Sequence, residues 1–342
     1  MTQILGGAVS TITSLNSRLP RNKSVDKVLG EIKLSESLRE YLSKMPDLDL
    51  DLLLEAYRKP LPTSFRVNTL KMDEHEVLEM LKEKGVSFKK IPWARYGYVV
   101  EDEPIDLGKT VEHMLGLIYI QAPISMVPVE VLNPKPGEKV LDLCAAPGSK
   151  STQIAQLLDG LGVLVANDVS FDRVKALASN LQRFGVLNVI ITLMDGRKFP
   201  RFARECFDKV LVDAPCSSLG IVSKNWGIAR SWSLELAKRL SKLQRQLILA
   251  GFDCLKPGGE LVYATCTLTV EENEMVIQYL LERRENAVLK EIDLPSLRYR
   301  CGIVEWDGMK LDEDLGKTIR IMPYDNWAEG FYVARVSKEG DS

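Results

Sequence analysis

One stretch limits what this chain can fold into more than any other: Gly137-Glu-Lys-Val-Leu-Asp-Leu-Cys-Ala-Ala-Pro-Gly-Ser-Lys150. Val140, Leu141 and Leu143 make a short apolar run that reads as a buried strand. The run stops at Cys144-Ala-Ala-Pro-Gly148, small residues that let backbone approach a ligand closely. Ser149 opens a helical pattern from Lys150 to Leu158, ended by Gly160. Strand, tight turn and helix in this order are the usual entrance to a nucleotide-binding α/β unit. A second strand, Gly162 to Asn167, ends at Asp168, about twenty residues past the turn, where an acid binds a ribose hydroxyl pair.

The alternation of strand and helix continues from Leu117 onward and predicts a doubly wound, mostly parallel sheet. A helix over Phe171 to Phe184 stops at Gly185, and a third strand, Val189 to Leu193, runs to Asp195. A fourth, Phe207 to Val212, leads into Asp213-Ala-Pro-Cys216. A long helix, Leu234 to Leu255, stops at Lys256-Pro-Gly-Gly, and a fifth strand, Leu261 to Ala264, leads into Thr265-Cys266-Thr267. Three acids and two cysteines thus fall at strand ends on one sheet edge, where such folds place ligands. Thr318 to Met322 and Phe331 to Val336 are fit to complete the sheet.

Upstream, residues 1 to about 23 are polar and expected to be loose. Ser24 can cap a helix from Val25, and helical pattern continues through Leu38, Tyr41 and Leu42, then Leu50 to Tyr57. Arg66 to Lys71, the helix Glu74 to Lys84, Val86 to Trp93 and Tyr96 to Val100 make a small βαββ unit. It resembles an RNA-binding-type subdomain, in which Trp93, Tyr96 and Tyr98 can stack on bases or simply pack a core. The expected division is a helical lead-in over 1–58, the small α+β subdomain over 59–116 and the large α/β domain over 117–338.

A chain of 342 residues, 45% of them apolar, can bury a large core, while a net charge of −2 provides no global field for a polyanion. Nucleic acid would therefore need a local basic surface. Two clusters qualify: Lys238, Arg239, Lys242 and Arg245 at helical spacing, and Arg197, Lys198, Arg201 and Arg204 just after Asp195. Either reads equally as a solvated face. No apolar run approaches the roughly 18 residues of a membrane span. Met1 to Ser17 lacks the basic start of a signal peptide. Six cysteines with no C-x-x-C pair, and only two histidines, exclude ordinary zinc spacing and a disulfide framework. A reducing, cytoplasmic setting without metal is expected.

The turn has one glycine where a dinucleotide fingerprint has three, and Gly148-Ser-Lys-Ser is not a P-loop. S-adenosylmethionine, which has no pyrophosphate, fits better. Backbone amides of the Cys144, Ala145, Ala146, Pro147 and Gly148 turn would hold its methionine end. Asp168 would hold the ribose and Asp195 the adenine amino group, although each acid alone also reads as a helix cap. Cys144, Cys206, Cys254 and Cys301 read as structural thiols. Cys216 and Cys266, just past buried strands, point to covalent catalysis on an electron-poor ring.

Asp213-Ala-Pro-Cys216 with Ala264-Thr-Cys266-Thr, behind the Leu141 to Lys150 motif and Arg66-Val-Asn-Thr69, resembles the Sun/Nol/Nop RNA 5-methylcytosine methyltransferases. The tail Glu329-Gly-Phe-Tyr332 is similar to that family's Asp-Gly-Phe-Phe. The resemblance implies a Rossmann-like class I methyltransferase sheet with a small RRM-like subdomain, S-adenosylmethionine as cofactor and RNA as substrate, tRNA first and rRNA second, acted on by a monomer. Cys266 would add to carbon 6 of a flipped cytosine, and Cys216 would assist release. Asp213 would meet the N3/N4 edge of the base, and Lys150 would favour an anionic intermediate. Arg173 would support the cofactor site with Asp168, Asp195 and Asp213. Ser217-Ser-Leu-Gly220 departs from the family's more usual Ser-Gly-x-Gly. Two competing readings are a methyltransferase for another acceptor with Cys266 structural, and an RNA-binding factor that keeps only the fold.

Overall fold

A computed structural model describes residues 32–340. The loose stretch and the helix expected from Val25 lie outside the described residues. Four strands, β1 (Ser64–Val67), β2 (Ser87–Lys90), β3 (Gly97–Asp102) and β4 (Ile118–Ile120), form a small antiparallel sheet in the order β2-β3-β1-β4. The helix Glu74–Glu83 crosses from β1 to β2, and Phe65, Val67, Tyr98 and Val100 pack against its Val77 and Leu81. This is a split βαβ arrangement. The expected boundary at residue 117 cuts through it. Phe65 pairs with Ile120 and Val67 with Ile118, so β4 belongs to the small sheet. A short apolar strand beside helical pattern carries no local mark of which sheet will claim it.

The large sheet holds β5 (Lys139–Asp142), β6 (Val163–Asp168), β7 (Val189–Leu193), β8 (Phe207–Asp213), β9 (Leu255–Thr265) and β10 (Ala287–Lys290). It also takes β11 (Arg300–Cys301), β14 (Ile319–Ile321) and β15 (Phe331–Lys338), while β12 (Glu305–Trp306) and β13 (Met309–Lys310) form a separate hairpin. Its order is β11-β14-β15-β9-β8-β5-β6-β7, with β10 beside β15. β5 to β9 are mutually parallel, and β15 inserts antiparallel between β9 and β14. Val140, Leu211, Val262 and Val333 pack on one face, and Leu141, Val210, Leu261 and Tyr332 on the other. Both faces are covered, which is why these strands read as unbroken apolar runs. Strand order reverses at β5, so the crevice above β5 and β8 is the switch point of a doubly wound sheet.

The helical lead-in does more than precede the small sheet. Helices Glu36–Ser43 and Leu50–Arg58 pack on the loops that follow β8 and β9, burying Leu38, Leu53 and Tyr57 against Leu219, Trp232 and Val270. Tyr57 Oη donates to Leu219 O at 2.7 Å, and Tyr41 Oη donates to Glu271 at 2.6 Å.

Arg66 and Asn68 join the two sheets. The fully buried Arg66 guanidinium donates to Gln121 Oε1 at 3.0 Å, to Thr152 Oγ1 at 2.7 Å and to Gln156 Oε1. It stacks 4.8 Å from the Phe184 ring. Asn68 Nδ2 donates to Gly116 O and Phe184 O, each at 2.8 Å. Thr152 and Gln156 lie on the helix Ser149–Leu158, directly behind the motif turn. Truncation of Arg66 strands several buried acceptors, each worth about 1–3 kcal/mol when left unpaired. Arg66→Ala is therefore expected to lower stability by about 3 kcal/mol or more, read as a lower urea midpoint. An unchanged midpoint would remove Arg66 from this role.

Candidate active site

The turn after β5 is held from three sides. Gly148 sits at φ 107°, a left-handed conformation that favours glycine, and opens the helix Ser149–Leu158 without a side-chain cap. Ala145 N–H donates to Asn167 O at 2.7 Å, Ala146 N–H to Asp168 Oδ2 at 3.3 Å and Gly148 N–H to Ala145 O at 2.8 Å. These amides, expected to grip a ligand, already have acceptors within the chain, and Pro147 has no N–H to give. The reason is local: a tight turn beside a strand-end carboxylate satisfies its own donors first. From the helix Phe171–Phe184, Arg173 Nη2 donates to Ala146 O at 2.5 Å and Asn180 Nδ2 to Pro147 O at 2.9 Å. Cys144 lies inside this framework, its thiol pushed up by burial, as the structural reading expects.

Asp168 ends β6 almost completely buried. Its Oδ1 accepts from Ser170 N–H at 2.9 Å, and Arg173 Nη1 stands 3.3 Å from Oδ2. Asp195 caps the short 3-10 turn Gly196–Lys198 and is gripped by Arg197, Nη2 to Oδ2 at 2.7 Å. Hydrogen bonding from Arg197 holds this carboxyl below its ordinary range. Asp142, which sequence reasoning passed over as a strand residue, accepts from Ser151 Oγ at 2.7 Å. Its other oxygen is buried with no partner among the described residues, and burial raises the carboxyl to about 7.

Across the switch point, Lys150 Nζ donates to Asp213 Oδ2 at 2.7 Å and lies 5.3 Å from the Phe331 ring. Burial pulls this ammonium down, but the Asp213 charge and hydrogen bond outweigh it and hold Lys150 above its ordinary value. β8 and β9 pair in parallel with Asp213 opposite Ala264. Their outgoing loops bring Cys216 Sγ to 3.3 Å from Cys266 Sγ.

A buried clamp fixes the two loops. Glu272 accepts from Ser217 N–H at 2.9 Å, Thr269 Oγ1 at 2.7 Å, Gln244 Nε2 at 3.0 Å and the Ser217 hydroxyl. Ser217 and Thr267, the residues just after the two cysteines, share a 2.8 Å hydrogen bond. Gly220 N–H donates to Cys266 O at 2.9 Å, and Gly330 N–H donates to Gly220 O at 2.8 Å. A Cβ on Gly220 would lie 2.0 Å from Gly330 O, so the tail motif and the Cys216 loop touch backbone to backbone. None of Glu272, Thr267 or Gln244 stood out in the sequence.

The two thiols share their protons unequally. Hydrogen bonding from Cys216 lowers Cys266, against burial and the Asp213 charge, with help from Ser218 and Lys150. The same bond raises Cys216, reinforced by burial and by the Glu272 charge. Ionisation is thus favoured at Cys266 over Cys216.

Of the two readings of Trp93, Tyr96 and Tyr98, packing accounts for the contacts seen. Tyr98 is buried among Phe65 and Phe88, its hydroxyl donating to Glu74 at 2.7 Å, while Trp93 Nε1 donates to Pro123 O at 3.2 Å. Tyr96 packs against the core of the large sheet. The other face of the small sheet carries Arg66 and Tyr119 into the joint already described. Aromatic content signalled packing. Of the basic residues, Arg197 is taken up by Asp195, and Arg245 lies 5.2 Å from the Tyr279 ring. Lys198, Arg201, Arg204, Lys238, Arg239 and Lys242 are exposed, with no ion-pair partner among the described residues. Arg197 Nη1 donates to Gln246 Oε1 at 2.9 Å, so the two clusters adjoin. No cluster of three or more metal-ligating side chains occurs, and no helix is long and apolar enough to cross a membrane, among the described residues.

The sheet order and the strand-end constellation define a class I methyltransferase fold, and solved structures agree. A methyltransferase homolog from Pyrococcus horikoshii superposes with a TM-score of 0.81 at 36% identity, covering 93% of this chain and 99% of that one. NSun6 from the same organism, solved with SFG, gives 0.76 at 26% identity, covering 90% and 98%. Residues 129–337 match the 16S rRNA methyltransferase RsmB/F model, and residues 34–123 match the N-terminal domain of 16S rRNA methyltransferase RsmF. The chain belongs to this RsmB/F family. A tRNA (cytosine(49)-C(5))-methyltransferase of Pyrococcus abyssi is 43% identical over 90% of this chain and 97% of its own length. The ribosomal RNA small subunit methyltransferase F of Klebsiella pneumoniae is 41% identical over 88% of this chain, which spans 62% of that protein. The 25S rRNA (cytosine-C(5))-methyltransferase nop2 of Schizosaccharomyces pombe is 36% identical over 94% of this chain and 54% of its own length.

Alkylation with iodoacetamide, read by peptide mass spectrometry across pH, is expected to label Cys266 with an apparent midpoint below the ordinary thiol value of about 8.5. Cys216 is expected to follow at higher pH, both values belonging to the pair. The reverse order would contradict the assignment of the thiolate.

Proposed function

We propose that the chain methylates carbon 5 of a cytosine in RNA, tRNA in the first instance, through a covalent adduct on Cys266. The observation that carries this reading is the 3.3 Å thiol pair beside the Lys150–Asp213 ion pair at the switch point. S-adenosylmethionine, when bound, supplies an electrophilic methyl group. The residues present fit such a cofactor. Asp142 has a buried carboxylate oxygen in need of a donor, and the cofactor's ammonium provides one. The uncapped start of the helix Ser149–Leu158 leaves backbone N–H groups for its carboxylate. Asp168 and Asp195 keep lone pairs beyond those already engaged, for ribose and adenine.

The chain's own groups order the steps. The Cys266 thiolate adds to carbon 6, and the ring electrons move toward carbon 5 and the N3/O2 side. Ion-paired Asp213 accepts from the exocyclic amine, while the Lys150 ammonium faces the growing negative charge. Carbon 5 would then take the methyl group from the bound cofactor, whose methyl–sulfur bond breaks as the new bond forms, the sulfonium leaving as a neutral thioether. Once the Cys266 sulfur is bonded to carbon, its charge no longer opposes ionisation of Cys216, and only burial and the Glu272 charge still do. Cys216 can then lose its proton to solvent and take the carbon 5 hydrogen as the carbon–sulfur bond breaks, restoring the ring, the Cys266 thiolate and the Cys216 thiol. A flipped or single-stranded cytosine is required, because carbon 6 is inaccessible in a stack. Lys198, Arg201, Lys238, Arg239 and Lys242 hold phosphates around it. The reading places the enzyme in the cytoplasm as a monomer; its six free cysteines fit a reducing compartment.

The test is incubation with tRNA, and separately with ribosomal RNA, plus tritiated S-adenosylmethionine, followed by nucleoside analysis. Label in 5-methylcytidine from tRNA supports the full reading. Label from ribosomal RNA alone keeps the chemistry and moves the substrate, and no label from either overturns it. Cys266→Ser is expected to abolish turnover, and Cys216→Ala to accumulate an RNA adduct that survives a denaturing gel. Full turnover by Cys266→Ser would sink the covalent route. Joint replacement of Lys238, Arg239 and Lys242 by Ala is expected to raise KM for RNA about tenfold with kcat nearly intact. It should also reduce the salt slope of binding by about 2 to 3. An unchanged slope would exclude these residues as phosphate contacts.

A further inference from the structure

Ser218 holds a backbone conformation that its side chain disfavours. Its φ is 64° and ψ 25°, the left-handed region in which a Cβ crowds the following carbonyl. Glycine would occupy this position without steric cost. The conformation is imposed from both sides: Ser217 N–H is tied to Glu272, and Gly220 N–H to Cys266 O. A non-glycine residue in such a place gains something from its side chain or is a net loss to the fold. Here the side chain reaches the reactive sulfur. Ser218 Oγ lies 3.7 Å from Cys266 Sγ, within range for a sulfur hydrogen bond, and 3.3 Å from Cys216 O, to which it donates.

We propose that the Ser218 hydroxyl is a built-in donor that turns onto the Cys266 sulfur and stabilises it in the ionised form that attacks carbon 6. The inference rests on the reading of Cys266 as nucleophile and assigns it a further group. While Cys266 is a thiol, its S–H points at Ser218 Oγ and the serine proton serves Cys216 O. When the thiol ionises, a rotation about Cβ–Oγ redirects the serine proton to the sulfur, with no backbone movement. Other charged and titratable groups also face the sulfur. Cys216 donates to it from the β8 loop, Lys150 attracts its charge from the motif helix, and Asp213 at the end of β8 opposes it. Beyond Cys216 stand Glu272 and the Tyr263 phenol, which donates to Glu272 O at 2.6 Å. Ser218 differs from them in that it does not titrate, so its hydroxyl stays a donor across the pH range in which the others change charge.

Two variants separate the hydroxyl from the backbone. Ser218→Ala removes the donor and keeps the left-handed strain; Ser218→Gly removes both. The pH dependence of Cys266 alkylation in the RNA-free protein, mapped by peptide mass spectrometry, is expected to move upward in both by about half to one unit. Ser218→Gly is expected to melt at or above the wild-type temperature, so the shift cannot come from a disordered loop. Coincident profiles in all three proteins would overturn the proposal. So would a shift in Ser218→Ala that is absent from Ser218→Gly, which would assign the effect to strain. The measurement uses no RNA or cofactor, so it stands apart from the test of methylation. Loss of 5-methylcytidine formation with intact alkylation shifts would strike the functional reading alone.

Discussion

Parallel pairing of β8 with β9, in the register that sets Asp213 opposite Ala264, is the constraint on which the site depends. Hydrogen-bonded neighbours lie about 4.8 Å apart, so loops leaving two such strands at one level must meet. Cys216 and Cys266 are separated by fifty positions in the chain, yet each stands within three residues of its strand end. A slip of one residue would reverse every side chain of one strand and carry its cysteine to another face. Glu272, Ser217 and Thr267 turn this coarse alignment into a contact between sulfurs.

Electrostatics then divides the work between two chemically identical groups. Cys266 is near Lys150 and receives hydrogen bonds, while Cys216 is near the buried Glu272. Part of the asymmetry comes from the charge on Cys266 itself, and the rest from burial and Glu272. Under the proposed mechanism, adduct formation would remove the Cys266 charge that opposes ionisation of Cys216, so one pair of sulfurs would serve entry and exit in turn.

The strand–turn–helix over Val140 to Leu158 was legible because its causes are local: an apolar run, small residues, one glycine at positive φ. The strand-end acids and the cysteine pair were legible for a related reason, since parallel strands deliver their ends to one edge. Glu272 was not. In Val270-Glu-Glu-Asn-Glu274 it looks like part of a solvated acidic run, but its partners Ser217 and Gln244 come from elements far along the chain. That the Ala145 and Ala146 amides have acceptors of their own was not legible, because those acceptors, Asn167 and Asp168, come from the next strand. Tyr98 was open between base stacking and core packing because alternation shows that a strand has two faces without showing which is covered.

β15 is the last strand in chain order, yet it sits inside the sheet between β9 and β14. Gly330, immediately before it, makes the backbone contact with Gly220 that braces the Cys216 loop. During synthesis the earlier strands emerge first. Until residues near 330 have left the ribosome, β9 offers an open, apolar edge and the cysteine loops lack their final support. A nascent chain thus holds the loops of Cys216 and Cys266 without this brace until a segment more than sixty residues beyond Cys266 has emerged.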